Sequence, residues 1–307
     1  MFSIFRPHSH DAADSIDTAL ASSREGIRAV KISLVVLGAT ALIQLGLVFV
    51  TNSVALLADT IHNFSDALTA VPLWIAFALV RRPPSRRYTY GLGRAEDLAG
   101  LFVVLMIALS AVVAGYQSIL RLIHPRDIDH VWVVLIAGIV GFIGNEFVAL
   151  YRIRVGRKIA SAALVADGLH ARTDGFTSLG VAVGAIGVMA GFPLADPIVG
   201  LLITVAILVV LKSAATEVFR RLMDGVDPSL VEHAERVARD TAGVVGIDSM
   251  RLRWIGHELH AEASLQVDSD LTLEAAHLIA HEAEARLCEQ VTKLAATTVH
   301  VSPRCPA

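Results

Sequence analysis

Six apolar stretches, each long enough to cross a lipid bilayer as an α-helix, lie within about the first 215 residues of the chain. A spanning helix needs about 20 mostly apolar residues. Apolar residues make up 54% of the chain even without its 22 glycines, whereas soluble domains average about 45–50% with glycine included. The sequence therefore predicts a polytopic membrane protein. The six predicted spans are Ala29–Val50, Val54–Val80, Asp97–Ile119, Val131–Tyr151, Ile159–Ala190 and Ala195–Ala215.

Basic residues between the predicted spans indicate how the chain is oriented. They are concentrated in the connections after the second and fourth spans, and among the opposite connections only the one between the third and fourth spans carries any, Arg121 and Arg126. Short loops rich in Lys and Arg stay in the cytoplasm, so we expect both termini to be cytoplasmic and the protein to lie in the plasma membrane. The basic residues after the second and fourth spans are Arg81, Arg82, Arg86, Arg87, Arg94, Arg152, Arg154, Arg157 and Lys158.

The two ends of the chain differ from the apolar region between them. Residues 1–24 lack the apolar core and cleavage site of a signal peptide, and we expect a disordered cytosolic segment there. Residues 25–222 would form the transmembrane domain and 223–307 a cytosolic domain. The two cysteines, Cys288 and Cys305, both lie in this tail and indicate neither a disulfide framework nor a thiolate metal site.

Sequence periodicity in the tail predicts two amphipathic helices and three alternating strands in the order α-β-β-α-β. The five segments are 227–243, 246–256, 258–268, 272–291 and 296–302. Such an order favours two helices on one face of a three-stranded sheet. The predicted fold class is therefore an all-α six-helix transmembrane domain followed by a small α+β cytosolic domain.

The pattern A-D-x-x-H-x-x-x-D occurs twice in the apolar region and is the most specific signal in the sequence. "ALLADTIHNFSDALT" occupies residues 55–69 in the second predicted span, and "ALVADGLHARTDGFT" occupies residues 163–177 in the fifth. Ionisable groups inside a membrane are costly and point to function. Two copies in one register indicate a single site assembled from two helices.

The spacing of this pattern predicts a metal site. His62 and Asp66 are four residues apart, as are His170 and Asp174, so each pair shares a helix face. Two imidazoles and two carboxylates would meet if the helices pack together, and this ligand set suits tetrahedral Zn²⁺. A bound cation would also neutralise both carboxylates. The alternative is that these residues only form hydrogen bonds between the helices.

Asp59 and Asp167 precede each histidine by three residues and lie one turn away in the other direction. They could orient the imidazoles as outer partners, pack between helices, or act as minor ligands. Arg172, inside the second copy, faces away from the His170–Asp174 side. It could pair with an acidic residue or extend toward the interface.

These features together resemble the cation diffusion facilitator family. Further segments carry the likeness: "YTYGLGRAEDLAGL" at 88–101, "GNEFVALYRIRVGRKIASAALVADGLHARTDGFTSLGV" at 144–181, "ADPIVGLLI" at 195–203 and "LMDGVDP" at 222–228. The resemblance implies a homodimer that exports divalent cations from the cytosol in exchange for protons. The His/Asp pairs are similar to those of zinc-transporting members.

The resemblance also implies a metal site in the cytosolic domain. Asp248, His277 and His300 lie near positions where the family has ligands, whereas Ser264 and Ser302 stand where further ligands are expected. We therefore expect an incomplete site rather than a full binuclear one. Tail histidines that could substitute are His257, His260 and His281.

The sequence thus predicts a Zn²⁺/H⁺ antiporter that is not an enzyme. Its partners would be the metal ion, protons, the bilayer and a second copy, with no nucleic acid and no prosthetic group. Export of Fe²⁺, Mn²⁺, Co²⁺ or Cd²⁺ stays open, since affinity order alone does not select the metal. An intramembrane zinc enzyme and a metal sensor are remoter alternatives. No H-E-x-x-H occurs, and a mere anchor needs no buried ionisable repeat.

Overall fold

The computed structural model describes residues 12–51, 70–124, 131–192 and 194–304. Within these ranges lie eight helices and three strands. The helices are α1 (Ala12–Thr51), α2 (Ala70–Val80), α3 (Arg94–Ile123), α4 (Val131–Ile159), α5 (Ala162–Met189), α6 (Ala195–Leu222), α7 (Pro228–Arg239) and α8 (Leu273–Gln290). The strands are β1 (Gly246–Ile255), β2 (Glu258–Val267) and β3 (Leu294–Pro303). The predicted fold class, a helical region followed by an α-β-β-α-β tail, is confirmed.

The chain divides into two compact units, which we call the helical unit and the tail unit. The helical unit comprises Arg24–Phe219, and the tail unit comprises the chain from Arg220 onward together with the N-terminal residues up to Ser23. Helices α1 and α6 each continue across this boundary. The predicted domain limits at residues 24 and 222 stay a prediction.

Four helices in the described ranges are long and apolar enough to cross a membrane: Ala21–Gly46 within α1, and the whole of α3, α4 and α6. Helix α5 has 28 residues but carries the polar motif, which lowers its hydropathy, and many of its side chains are buried inside the helical unit. Helix α2 has only its last part described. The count of six spans stays a prediction.

Two helices extend further than the apolar patterns predict. We expected residues 1–24 to be disordered, but α1 begins at Ala12, and residues 12–24 hold no proline or glycine that would stop a helix. We placed the basic residues from Arg152 to Lys158 in a connection, but they form the last turns of α4. Arg and Lys are good helix formers and are favoured at a helix C-terminus.

Helices α4 and α5 approach each other closely because glycines line their contact. A Cβ atom added at Gly168 would lie 2.9 Å from the backbone nitrogen of Ile153. One added at Gly156 would lie 2.9 Å from the backbone nitrogen of Val165. A methyl group cannot be accommodated at such distances without moving a backbone. Glycine at both positions therefore sets the spacing of the two helices.

We expect Gly168→Ala to lower the thermal unfolding temperature of the detergent-solubilised protein. Overpacking of a close contact costs about 1–3 kcal/mol, and here the obstacle is backbone rather than a movable side chain. Gly38→Ala is the matched control, because a Cβ at Gly38 meets nothing within 4 Å and alanine favours a helix. Equal unfolding temperatures for the two variants would contradict this account of the contact.

The tail unit is a three-stranded sheet in the order β1-β2-β3, with β1–β2 antiparallel and β2–β3 parallel. Leu259 and Leu265 of β2 and Leu287 of α8 are fully buried in its core. Asp227 caps α7 by accepting hydrogen bonds from the backbone N–H and hydroxyl of Ser229, and the Ser229 side chain lowers the pKa of that carboxyl.

Arg221, in the last turn of α6, belongs to the tail unit. One Nη of its guanidinium donates to the carbonyl of Gly256 in the β1–β2 turn at 3.1 Å, and the group stacks over the Trp254 ring at 4.5 Å from the centroid. Because the guanidinium is planar and rigid, the side chain loses little conformational entropy for each contact that it forms. Both contacts lie within the tail unit and hold Arg221 against the β1–β2 hairpin.

Candidate metal site in the helical unit

Helix α5 begins at a sharp turn that fixes where its polar face starts. Ala160 takes a left-handed conformation with φ of 60°, which ends α4 at Ile159. The Ser161 hydroxyl then accepts a hydrogen bond from the backbone N–H of Leu164 at 3.1 Å and caps α5. Only two residues thus separate the helices.

The three motif residues of α5 lie buried along one side of the helix. Asp167, His170 and Asp174 expose 0%, 1% and 5% of their surface. His170 Nδ1 lies 3.6 Å from Asp174 Oδ2, so the two side chains converge as their four-residue spacing predicts. At this separation the two atoms are too far apart for a hydrogen bond to each other, but an imidazole nitrogen and a carboxylate oxygen so placed can ligate one metal ion.

Asp167 forms an ion pair with α4. Its Oδ2 lies 2.9 Å from Nη1 of Arg152, and both side chains are at most 1% exposed. Of the roles that the sequence left open for Asp167, pairing between helices is thus the one with a described partner. The arginine neutralises the carboxylate, which would otherwise be costly to bury.

Arg172 also pairs with α4. Its Nη2 donates to Glu146 Oε1 at 2.7 Å and its Nε donates to Glu146 Oε2 at 3.2 Å. This two-point geometry is the strong form of the Arg–carboxylate bond. The guanidinium therefore adds no net positive charge beside the buried His170–Asp174 pair.

The other half of the predicted site lies outside the described residues. This applies to Asp59, His62 and Asp66. Within the described ranges no group of three or more His, Cys, Asp and Glu side chains is arranged to hold a metal ion. The four-ligand set of His62, Asp66, His170 and Asp174 accordingly stays a prediction, with the α5 half now described.

A small cavity of about 90 Å³ lies further along α5. It is lined from α5 by Thr177, Gly180 and Val181. Of these, Thr177 and Val181 lie three and seven residues after Asp174 and therefore on the same side of the helix. Arg121 of α3 and Asp196 of α6 also line it and form an ion pair at 2.7 Å. The cavity lining thus contains polar side chains in addition to the apolar side chains of the three helices.

Sequence reasoning missed Arg152 as the partner of Asp167, because we assigned it to a connection. A spacing signal was present: Gly138, Asn145, Arg152 and Ile159 recur every seven residues along α4, and all four are buried. Residues seven apart are separated by nearly two full turns, so they lie on the same face of a helix. Reading that repeat through to Ile159 would have placed the arginine on the buried face of α4, although it would not have shown that Asp167 is its partner.

The residues of the predicted cytosolic site are spread over the tail unit. Asp248 on β1 accepts hydrogen bonds from the Gln266 side chain and, at 2.9 Å, from the Ser302 hydroxyl. His300 lies on β3, and His277 lies on α8, where its Nε2 is 3.0 Å from Nε2 of His281. The structure gives each of Asp248 and His277 a partner outside the predicted set.

Two family models match consecutive parts of the chain. The model for the cation efflux transmembrane domain matches residues 30–223. The model for the cytoplasmic domain of cation efflux proteins matches residues 226–304. The boundary between them falls where α6 ends.

Similar proteins come from several bacteria. "Probable cation efflux system protein Rv2025c" of Mycobacterium tuberculosis is 65% identical over 300 residues, which is 98% of this chain and 90% of that protein. "Manganese efflux system protein MneP" of Bacillus subtilis is 27% identical over 295 residues, 92% of this chain and 99% of that protein. A solved structure of a MamM variant is 25% identical, covers 25% of this chain and 84% of that chain, and superposes with a TM-score of 0.25.

Proposed function

The chain belongs to the cation efflux family of membrane transporters, and from this premise we propose that it exports Zn²⁺ from the cytosol in exchange for protons. Membership makes the protein a transporter rather than an enzyme, and the metal ion is its substrate rather than a resident cofactor. The identity of the metal, its exchange for protons and its path through the membrane are what we propose.

The observation that carries the proposal is the buried His170–Asp174 pair on α5. Its side chains are 2% and 5% exposed and 3.6 Å apart. The same spacing recurs in sequence at His62 and Asp66. We propose that these four residues hold the transported ion between the second and fifth spans, with Asp59 and Asp167 outside the ligand set.

The ligand chemistry favours zinc among the divalent candidates. Imidazole nitrogen suits Zn²⁺, Cu²⁺, Fe²⁺ and Ni²⁺, whereas Mn²⁺ and Mg²⁺ prefer carboxylate, carbonyl and water oxygens. Two histidines among four ligands therefore argue for Zn²⁺. Manganese is the second candidate, because a relative that matches 92% of this chain is named for manganese efflux. Fe²⁺, Co²⁺ and Cd²⁺ are further outcomes for the same site.

Protons and metal compete for the same ligands, and this competition supports antiport. A histidine must be neutral and an aspartate ionised before either binds a metal ion. Unperturbed imidazole titrates near pH 6.5, close to the pH range of cells. A site that opens to the more acidic side would therefore gain protons and release its ion. Rocking of helices around a midplane site is the motion that this requires.

We propose six spans with both termini in the cytoplasm, in the plasma membrane and as a homodimer. The helices α1, α3, α4 and α6 account for four spans by length and hydropathy, and the second and fifth carry the site residues. An even number of spans places the N-terminus and the C-terminus on the same side of the membrane.

Flux in proteoliposomes tests the proposal. We expect purified protein to accumulate Zn²⁺ inside vesicles when the lumen is acidic, read by a trapped zinc-sensitive dye, and to lose this uptake when a protonophore collapses the gradient. Parallel runs with Mn²⁺, Fe²⁺, Co²⁺ and Cd²⁺ give the substrate order. Uptake that favours Mn²⁺ over Zn²⁺ would overturn the zinc assignment, and uptake that is indifferent to the protonophore would overturn antiport.

A further inference from the structure

The cavity beside α5 lies between the proposed ion ligands and the end of the helical unit where α3 ends and α6 begins. In the proposed orientation this end is on the outer side of the membrane. Thr177 lies three residues after Asp174 on the same side of α5, a distance of about 4.5 Å along the helix axis. The cavity of about 90 Å³ has room for several water molecules. Polar space therefore begins one turn beyond the proposed ligand.

The hydroxyl groups in the cavity lining present their oxygen atoms as acceptors. Ser118 donates its hydroxyl hydrogen to the carbonyl of Ala114 at 2.7 Å, and Thr177 donates its own to the carbonyl of Thr173 at 3.1 Å. A hydroxyl has one hydrogen and two lone pairs, so only acceptor capacity is left once the helix has used the hydrogen. Oxygen acceptors together with water suit a divalent cation, so the lining favours a hydrated cation over an anion.

An ion pair closes the outer end of this cavity. Asp196 Oδ2 of α6 lies 2.7 Å from Nη1 of Arg121 of α3, and the side chains of Arg121 and Asp196 are 48% and 13% exposed. Asp196 also lies against α5, because a Cβ added at Gly184 would be 2.8 Å from Asp196 Oδ1 and 3.0 Å from its Cα. One aspartate thus joins α6 to both α3 and α5 at the same point.

The two charges of this pair have opposite effects on a cation that leaves the cavity. The Asp196 carboxylate would attract the cation and the Arg121 guanidinium would repel it, and both effects are strong because charge is poorly screened between the helices. While the two groups are paired, each largely cancels the field of the other. Arg121 is half exposed, so it is the partner that moves into solvent when the pair opens, and Asp196 stays beside the cavity.

We propose that the cavity is the outer part of the path by which the transported cation leaves, and that the Arg121–Asp196 ion pair closes this path. Opening of the pair frees the Asp196 carboxylate to bind the departing ion, and renewed pairing with Arg121 displaces the ion into the medium. The inference rests on the proposed site at His170 and Asp174 and on the proposed orientation. It does not depend on which divalent metal is carried or on exchange for protons.

Labelling of a cysteine at position 177 tests the closure in intact cells that express the full chain. The parent carries Thr177→Cys together with Cys288→Ser and Cys305→Ser, which remove both natural cysteines. A cationic or an anionic membrane-impermeant methanethiosulfonate is added to the medium. We expect slow labelling of the parent. After Arg121→Gln labelling should be faster, and the cationic reagent should react about tenfold faster than the anionic one, because the Asp196 carboxylate is then uncompensated. After Asp196→Asn the preference should reverse.

Leu179→Cys is the matched control for labelling, because Leu179 is also on α5 but is 38% exposed on the outside of the helical unit. A thiol surrounded by lipid stays protonated and unreactive, so this position should stay unlabelled with and without Arg121→Gln. Equal rates for the parent and Arg121→Gln, or faster labelling without a charge preference, would overturn closure by the ion pair. Labelling at position 177 that occurs only in inside-out vesicles would overturn the placing of the cavity on the exit path.

A bulky side chain in the cavity tests the path itself. Thr177→Trp fills the space between α3, α5 and α6, and we expect it to reduce uptake into proteoliposomes to the leak of protein-free vesicles. Uptake is measured with whichever of Zn²⁺ and Mn²⁺ the unchanged protein carries faster, so the result is separate from the zinc assignment. Leu179→Trp, on the outside of the helical unit, should transport close to the unchanged protein. Equal uptake by the two tryptophan variants would overturn the path.

Discussion

Replacing Asp174 by alanine is expected to reduce Zn²⁺ uptake into proteoliposomes to the leak of protein-free vesicles. The carboxylate is 5% exposed and converges with His170, so the change removes a buried negative charge that we propose as a ligand of the transported ion. A metal ion entering the site would meet one negative charge fewer in a medium that screens charge poorly. Asp174→Asn should be nearly as inactive, because it keeps the size and one oxygen but loses the charge.

Ser178→Ala is the matched control for this experiment. Ser178 lies one turn after Asp174 on the same side of α5 and is equally buried, but a hydroxyl is not a strong zinc ligand. Its loss should leave uptake close to that of the unchanged protein. Equal uptake by Asp174→Ala and the unchanged protein would remove α5 from the transport site, and with it the four-ligand model.

Replacing Arg152 by alanine should cause the largest loss of stability of any single substitution that we propose. The change leaves Asp167 buried at 0% exposure without the cation that now lies 2.9 Å away. Removing one partner of a buried ion pair costs about 3–5 kcal/mol. The measurement is thermal or denaturant-induced unfolding of the detergent-solubilised protein, followed by tryptophan fluorescence.

A double substitution distinguishes the contribution of the paired charges to stability from the contribution of the volume that the two side chains fill. Arg152→Met with Asp167→Leu removes both charges and keeps apolar volume, and such replacements of buried pairs are often neutral or stabilising. Lys158→Ala is the control, because its pair with Glu25 is exposed at 68% and 43% and exposed pairs contribute at most about 1 kcal/mol. Equal unfolding temperatures for Arg152→Ala and Lys158→Ala would show that the buried ion pair contributes no more to stability than the exposed one.

The sequence predicted most of the tail unit and the order of the helices. The strands β1, β2 and β3 begin and end within three residues of the predicted segments, because alternation at 258–268 and its neighbours is strong and the turn at Gly256 is short. The apolar helices α3, α4 and α6 were also found, since hydropathy alone identifies them.

The sequence could not show which charges are satisfied by which partners. Arg152, Arg154 and Arg157 form one run of basic residues at the end of α4, yet only Arg152 faces the buried carboxylate of α5. The sequence likewise left the partner of Arg172 open, and the structure pairs it with Glu146 through two hydrogen bonds. Pairing depends on the rotation of one helix against another, and periodicity within a single helix does not contain that angle.

The short turn at Ala160 and Ser161 has a consequence for biosynthesis. A connection of two residues makes α4 and α5 a helical hairpin, and Arg152 and Asp167 meet within it. Either helix entering the lipid alone would bring an uncompensated charge beside its apolar run, whereas the hairpin enters with that charge neutralised. We therefore expect the translocation machinery to release α4 and α5 into the bilayer together, after the ribosome has completed both.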